Sequence, residues 1–357
     1  MQQEILNFFQ KIGRIYNSKL PFVIYRKPNE KEVFVVVQNT DDLFELSTDK
    51  ENGFVFAPFS KNQPKIIFPT EKCEQFSINI QDFEELNISS KNATTIQISN
   101  LEATKLQHIA LVQKTIDYIQ NNEAEKIVIS RMEMLKHTNF EVLNSYKKML
   151  KNYENAMVYL WFHPNVGCWM GASPERLLNC NRHKFKTMAL AGTQAFKGEI
   201  DVLWNEKEIK EQKFVTDYIL ETIQSTISNI TCTNPYTVKA GNLLHLCTDI
   251  YGELTVENSI KNLIDALHPT PAICGVPKWP ATNFIGENEG YNRAFYAGYL
   301  GEINRNNETN LYVNLRCMQI NQDHISLYIG GGITAASIAE KEWDETVFKA
   351  EVMKKIL

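Results

Sequence analysis

His324–Met353 reads HISLYIGGGITAASIAEKEWDETVFKAEVM. Its first ten residues have the β-branched and aromatic content of a strand and run into three glycines. A dense acidic run follows. From there Glu345, Phe348, Lys349, Val352 and Ile356 fall at 0, 3, 4, 7 and 11, the stripe a helix buries. LYVNLRCMQI (311–320), just upstream, reads as a strand paired with HISLYIGGGI. Strand, glycine and helix in immediate succession predict a mixed fold. Acids in a first helical turn suit the positive end of the helix dipole. Glu345, however, shares the apolar side, and a carboxylate there needs a cation.

Farther out the same alternation continues. KIVISRMEML (126–135) is a β-rich run too apolar for a surface strand, and IKEQKFVTDYILETIQ (209–224) reads as a helix. Leu106, Ile109, Val112, Ile116 and Ile119 keep helical spacing up to a stop at Asn121-Asn122. In the first hundred residues FVIYR, VFVVVQ and FVFAPF read as strands between polar turns, and Asn87–Asn100 reads as an exposed connection. No internal repeat is visible. The expected class is α+β, mixed α/β, with many strands and several long helices.

The chain has 357 residues, 43% hydrophobic and 22% charged, with a net charge of -5. That is the composition of a soluble globular protein with no basic footprint for nucleic acid or an anionic membrane. No apolar run approaches a membrane span, and the first residues lack a secretory apolar region. Seven scattered cysteines without a CxxC pair point to reduced thiols in the cytoplasm and against structural zinc. Seven histidines are equally dispersed.

Single motifs are weak here. Glu211 shares a face with Val215 and Tyr218, as Glu345 does with its neighbours. Each glutamate alone is most simply a boundary residue with a solvated tip. Two of them far apart in sequence raise the odds of a shared hard cation, since Mg²⁺ takes one or two carboxylates plus water and a substrate oxyanion. Pro174-Glu175 in MGASPERLL reads equally as a turn or helix start, and Ala191-Gly192-Thr193 in MALAGTQA as a strand end. Lys126 and Arg316 adjoin apolar strands, where charged residues usually mark edges. His245 and His268 fit satisfied core histidines. Pro269 and Pro271 impose a rigid extended path.

Their order is more specific than any one of them. KIVISR, GASPERL, LAGT, KEQKFV, HL, LHPTPAICGVPK, LYVNLRC, GGGI and EWDETVFK, in this succession over Leu101–Leu357, resemble the chorismate-utilising enzymes, and among them the isochorismate synthase branch; residues 1–100 match loosely. The resemblance implies one chorismate-binding domain over 1–357, a variable strand-rich part (1–100) preceding the motif-bearing part (101–357). Its fold would be two large packed β-sheets flanked by helices, with the active site in the cleft between them.

For chemistry the resemblance implies a Mg²⁺-dependent isomerase that converts chorismate to isochorismate, water adding at C2 as the C4 hydroxyl leaves. Lys126 would be the base and Glu175 the acid. Glu211 and Glu345 would hold Mg²⁺, with Glu342 supporting through water. Arg316, the Gly330 backbone and Lys349 would take the side-chain carboxylate. Gly192 and Thr193 would line the ring, His245 would join the substrate contacts and Ala272 would border the product pocket. Lys126 together with Ala191 favours water as nucleophile over the amine-forming branches, and His268–Ala272 favours an isochorismate synthase over a salicylate synthase. Gln212 departs from the family, where His is common. A small-molecule substrate, no nucleic acid or membrane partner, and a monomeric cytoplasmic protein complete the expectation.

Overall fold

The computed structural model describes residues 2–48, 51–86, 88, 95–98, 101–121, 124–241, 243–255 and 260–357. Its frame is two antiparallel sheets. The first runs in space from Gly275–Val276 through Lys126–Thr138, His324–Ile333, Cys317–Ile320, Gly167–Ser173, Met157–His163, Phe22–Arg26 and Glu32–Gln38 to Cys73–Asn79. The second runs from Ile227–Cys232 through Leu243–Leu254, Lys184–Ala195, Arg176–Asn181, Glu308–Val313, Tyr299–Arg305 and Gly53–Ala57 to Ile66–Pro69.

The central strands of the first sheet are apolar throughout because both of their faces are buried. Val23, Tyr25, Tyr159 and Trp161 point into the layer between the sheets, where they meet Phe54, Phe56, Leu178 and Leu300 of the second sheet. Phe22, Ile24, Val158 and Leu160 face the other way, against Ile5, Phe8 and Ile12 of the helix Gln2–Asn17 and Tyr146, Met149 and Leu150 of the helix Val142–Asn152. The helices Leu101–Gln120 and Lys278–Asn288 close on the Lys126 strand through Val112, Ile116, Phe284, Ile127 and Ile129. Among the described residues no helix is long and apolar enough to cross a membrane, and all seven cysteines are free thiols.

The first hundred residues supply strands to both sheets, so they form part of the layers that frame the site. They also begin with a helix, which the reading as strands alone did not include. Of the polar stretch Asn87–Asn100, Thr95–Ile98 is a strand paired with Leu135–Thr138, not an open connection; residues 87, 89–94, 99 and 100 lie outside the described residues, as does Asn122. On the Leu101–Gln120 helix Leu106 is exposed and His108 is buried in its place.

LYVNLRCMQI is the consequential correction. It is two strands: Glu308–Val313 belongs to the second sheet and Cys317–Ile320 to the first. The chain crosses between sheets at Asn314–Arg316. Asn314 is fully buried there, donating its amide to the Phe295 carbonyl at 2.8 Å and accepting from the Tyr159 hydroxyl at 2.7 Å. Arg316 has φ 47, a left-handed conformation uncommon outside glycine, and so its side chain is aimed by the crossover itself.

Candidate active site

The crossover opens a cleft at the junction of the sheets, and most of the motif residues reach it. Glu175, Ala191, Gly192, Thr193, Glu211, His245, Ala272, Arg316, Gly330, Glu345 and Lys349 all line it. Lys126, the first residue of its strand, lies beneath this lining and is 1% exposed. Its ammonium is 3.0 Å from Glu211 Oε1. The glycine triplet makes room for this pair. A Cβ on Gly332 would stand 2.5 Å from Glu211 Oε1 and 2.9 Å from Lys126 Cε, closer than such atoms approach. A Cβ on Gly330 would stand 2.5 Å from Tyr296 Oη.

Glu211 comes from the helix Glu206–Ile223. That helix buries Gln212, Val215, Ile219 and Ile223, so its inward stripe is centred one residue beyond the one read from sequence, and Glu211 sits at the edge facing the cleft. The helix Ala339–Lys354 is displaced similarly. Glu342, Trp343, Thr346, Ala350 and Met353 are buried, while Phe348 is 63% exposed; the side chain of Val352 lies outside the described residues. Glu345 and Lys349 thereby flank the cleft in place of lying on an apolar face.

Three carboxylates on the two helices each meet an ammonium. Lys126 pairs with Glu211, Lys349 with Glu345 at 2.7 Å, and Lys207 with Glu342 at 2.6 Å. Lys349 also donates to the Gly330 carbonyl at 2.9 Å. Burial pushes Glu345 up, but Lys349 and then Lys207 outweigh it and hold the carboxyl below its ordinary value. Burial likewise pushes Glu342 up, and there Lys207 only partly offsets it. Among the described residues, no three acidic, histidine or cysteine side chains form a preformed metal cage.

The donor set nevertheless suits a hard cation. Gly331 and Gly332 are adjacent, and their Cβ positions lie 3.8 Å from Glu342 Oε2 and 2.5 Å from Glu211 Oε1, so the two helices bring their carboxylates over one short piece of strand. Glu208, one turn before Glu211, adds a buried Oε2 that has no hydrogen-bond partner. Glu208 was missed in the sequence, although it repeats the i, i+3 spacing of Glu342 and Glu345.

Across the cleft Glu175 is buried. Its Oε1 accepts from the Thr270 hydroxyl at 3.3 Å, and burial raises its pKa to about 8 despite opposing contributions from Thr270 and Lys126. Thr270 belongs to the LHPTPA loop, whose rigid path was legible while the hydroxyl's partner was not. His268 of the same loop is a core histidine, its Nε2 placed against the carbonyls of Pro58 and Phe59.

The third part of the site is a relay. Pairing of the strands Lys184–Ala195 and Leu243–Leu254 shifts register between Ala191 and Gln194, which leaves Gly192 and Thr193 in a bulge opposite His245. Gly192 has φ 73, where glycine is favoured. The bulge turns the Gly192 carbonyl toward His245 Nδ1, at 2.9 Å. A carbonyl only accepts, so Nδ1 carries the proton and Nε2 accepts from Arg316 Nη2 at 2.7 Å. Arg316 Nη1 donates to the Ala240 carbonyl at 2.8 Å. Burial, then the Arg316 charge, lowers the His245 pKa to about 3, so the ring is neutral.

The sequence pattern of the family described as "Chorismate binding enzyme" matches residues 45–357. The isochorismate synthase EntC of Escherichia coli is 26% identical over 315 residues, which is 83% of this chain and 78% of that protein. In fold, the menaquinone-specific isochorismate synthase MenF of Escherichia coli superposes with a TM-score of 0.79 at 20% identity, over 94% of this chain and 88% of that one. The anthranilate synthase component I of Streptococcus pneumoniae superposes with a TM-score of 0.67 at 18% identity, over 93% and 89%. With the family pattern spanning residues 45–357 and most of the motif residues gathered in one cleft, the chain belongs to the chorismate-binding enzymes.

Proposed function

We propose that the chain is an isochorismate synthase: it adds water at C2 of chorismate and expels the C4 hydroxyl as water, with the ring double bonds shifting. The observation that carries this reading is that Glu175 lines the cleft while Lys126 lies just beneath its lining, both of them buried. At neutral pH Glu175 retains its proton, with a pKa of about 8, and so serves as the acid that a leaving hydroxide needs. Lys126 takes the proton of the attacking water. Between them the reaction is balanced: one water enters and one leaves, Lys126 gains a proton and Glu175 gives one up.

Glu211 and Glu345 would hold Mg²⁺, with Glu208 and Glu342 supporting through water. The ion would supply positive charge to neutralise the ring carboxylate. Arg316, steadied by His245 and Ala240, presents its remaining N–H groups to the second carboxylate, and Lys349 stands on the same side. Ala191 offers no amine or acid to the ring, which is in keeping with water as nucleophile.

Chromatography and mass analysis after incubation with chorismate and Mg²⁺ test the reading. Isochorismate without pyruvate is the expected result. Release of pyruvate with salicylate, or ammonia-dependent formation of an aromatic amine, would assign another branch.

A further inference from the structure

Gln212 stands at the head of the buried stripe of the Glu206–Ile223 helix, followed by Val215, Ile219 and Ile223. It is polar where the other three are apolar, and it is 3% exposed. Its amide nitrogen donates to the Thr248 hydroxyl at 2.7 Å and to the Thr216 hydroxyl at 2.9 Å. Thr216 is on the same helix, so that bond is local. Thr248 is 2% exposed on the strand Leu243–Leu254, three residues after His245, and belongs to the second sheet. The bond to Thr248 therefore ties the helix to the strand that also carries the Arg316 relay.

The location of this tie matters. The part of the helix from Glu206 to Glu211 precedes every apolar anchor, and the next one is Val215, a turn farther on. Glu208 and Glu211 lie in that overhang, and apolar contacts slide and rotate more readily than a directed buried hydrogen bond. Gln212, covalently next to Glu211, is the only member of the stripe with such a bond to the sheet among the described residues.

We propose that Gln212 is a positioning residue: its bond to Thr248 sets the rotation of the helix end and so aims Glu211 into the cleft for a divalent cation. This rests on the metal reading above. Gln212 touches neither substrate nor reacting atoms; it acts through Glu211.

Isothermal titration of Mg²⁺ into the full chain, without substrate, tests it. Thr248→Val keeps the volume and removes only the acceptor, and Gln212→Leu removes the donor. Each is expected to raise the Mg²⁺ Kd about tenfold, the usual effect of losing a group that orients a metal ligand. Thr216→Val, which removes the local partner, is expected to leave the Kd within about twofold of the parent, as a purely local bond implies. Circular dichroism reports whether each variant is folded, and the folded Thr248→Val protein decides the matter if Gln212→Leu is not. Parent-like affinity in Thr248→Val overturns the positioning role alone. Absence of Mg²⁺ binding by the parent protein overturns the metal reading and the positioning role together.

Discussion

Lys126 Nζ and Glu211 Oε1 stand 3.0 Å apart, joining the first residue of a strand near one end of the first sheet to the helix Glu206–Ile223. In the proposed mechanism the pair would couple the base to one of the carboxylates that would hold the cation. Its lysine is almost fully buried and its glutamate reaches the cleft, so a change in the charge on one is felt directly by the other. Removal of the amine has a defined outcome. Lys126→Gln lowers kcat by about a hundredfold to ten-thousandfold, the usual contribution of a positioned base, while chorismate affinity measured by titration stays within about tenfold.

Glu175 sets a pH limit. Its pKa is raised from 4.5 to about 8 chiefly by burial. The acid is therefore present at neutral pH and lost above it, so kcat/KM falls as pH rises through about 8. Stability moves with it. Between 4.5 and 8 the folded chain keeps a proton that the unfolded chain has released, so stability declines as pH rises across that window. Glu175→Gln removes this decline and is more stable than the parent at pH 8 by on the order of a few kcal/mol, while its turnover is lost. Denaturant melts of both proteins from pH 5 to about 9 check the sign.

The glycine triplet yields a paired comparison. Gly332→Ala forces a methyl against Glu211 and Lys126, whereas the nearest atom to a Cβ on Gly331 is 3.8 Å away. Gly332→Ala should lose at least about a hundredfold in kcat/KM, the scale expected when catalytic groups are misplaced by an ångström, and Gly331→Ala far less. Steady-state kinetics of the two variants side by side decide it.

Neutral His245 gives a prediction of constancy. With a pKa of about 3 it contributes no inflection to kcat/KM near 6.5, although it touches Arg316. Arg316→Lys keeps the charge but loses the planar fork that can meet His245 and a carboxylate together. KM for chorismate should rise about tenfold or more, with a smaller change in kcat.

Periodicity in the sequence put the site residues on their elements, while their grouping into one site was legible only from the order of the motifs and the family it resembles. Lys126 opens its strand and Glu211 and Glu345 lie on helices, whereas Gly192, which reads as a strand end, sits in a bulge inside its strand. What escaped depended on tertiary geometry. LYVNLRCMQI has the hydrophobicity of one strand, and nothing in its pattern marks a change of sheet at Asn314–Arg316. The buried stripes of both carboxylate helices lie one step away from the apolar count, since Gln212, Glu342 and Thr346 are buried through polar partners while Phe348 is exposed. Thr270 and Glu208 gain their significance only from what folds next to them.

The account rests on a water-derived oxygen arriving at one ring carbon while another hydroxyl departs. Mass analysis of isochorismate formed with Mg²⁺ in heavy-oxygen water measures this directly. A product carrying one solvent oxygen at C2, absent when the metal is chelated, is the expected result. An unlabelled ring hydroxyl, or full activity in excess chelator, would contradict it.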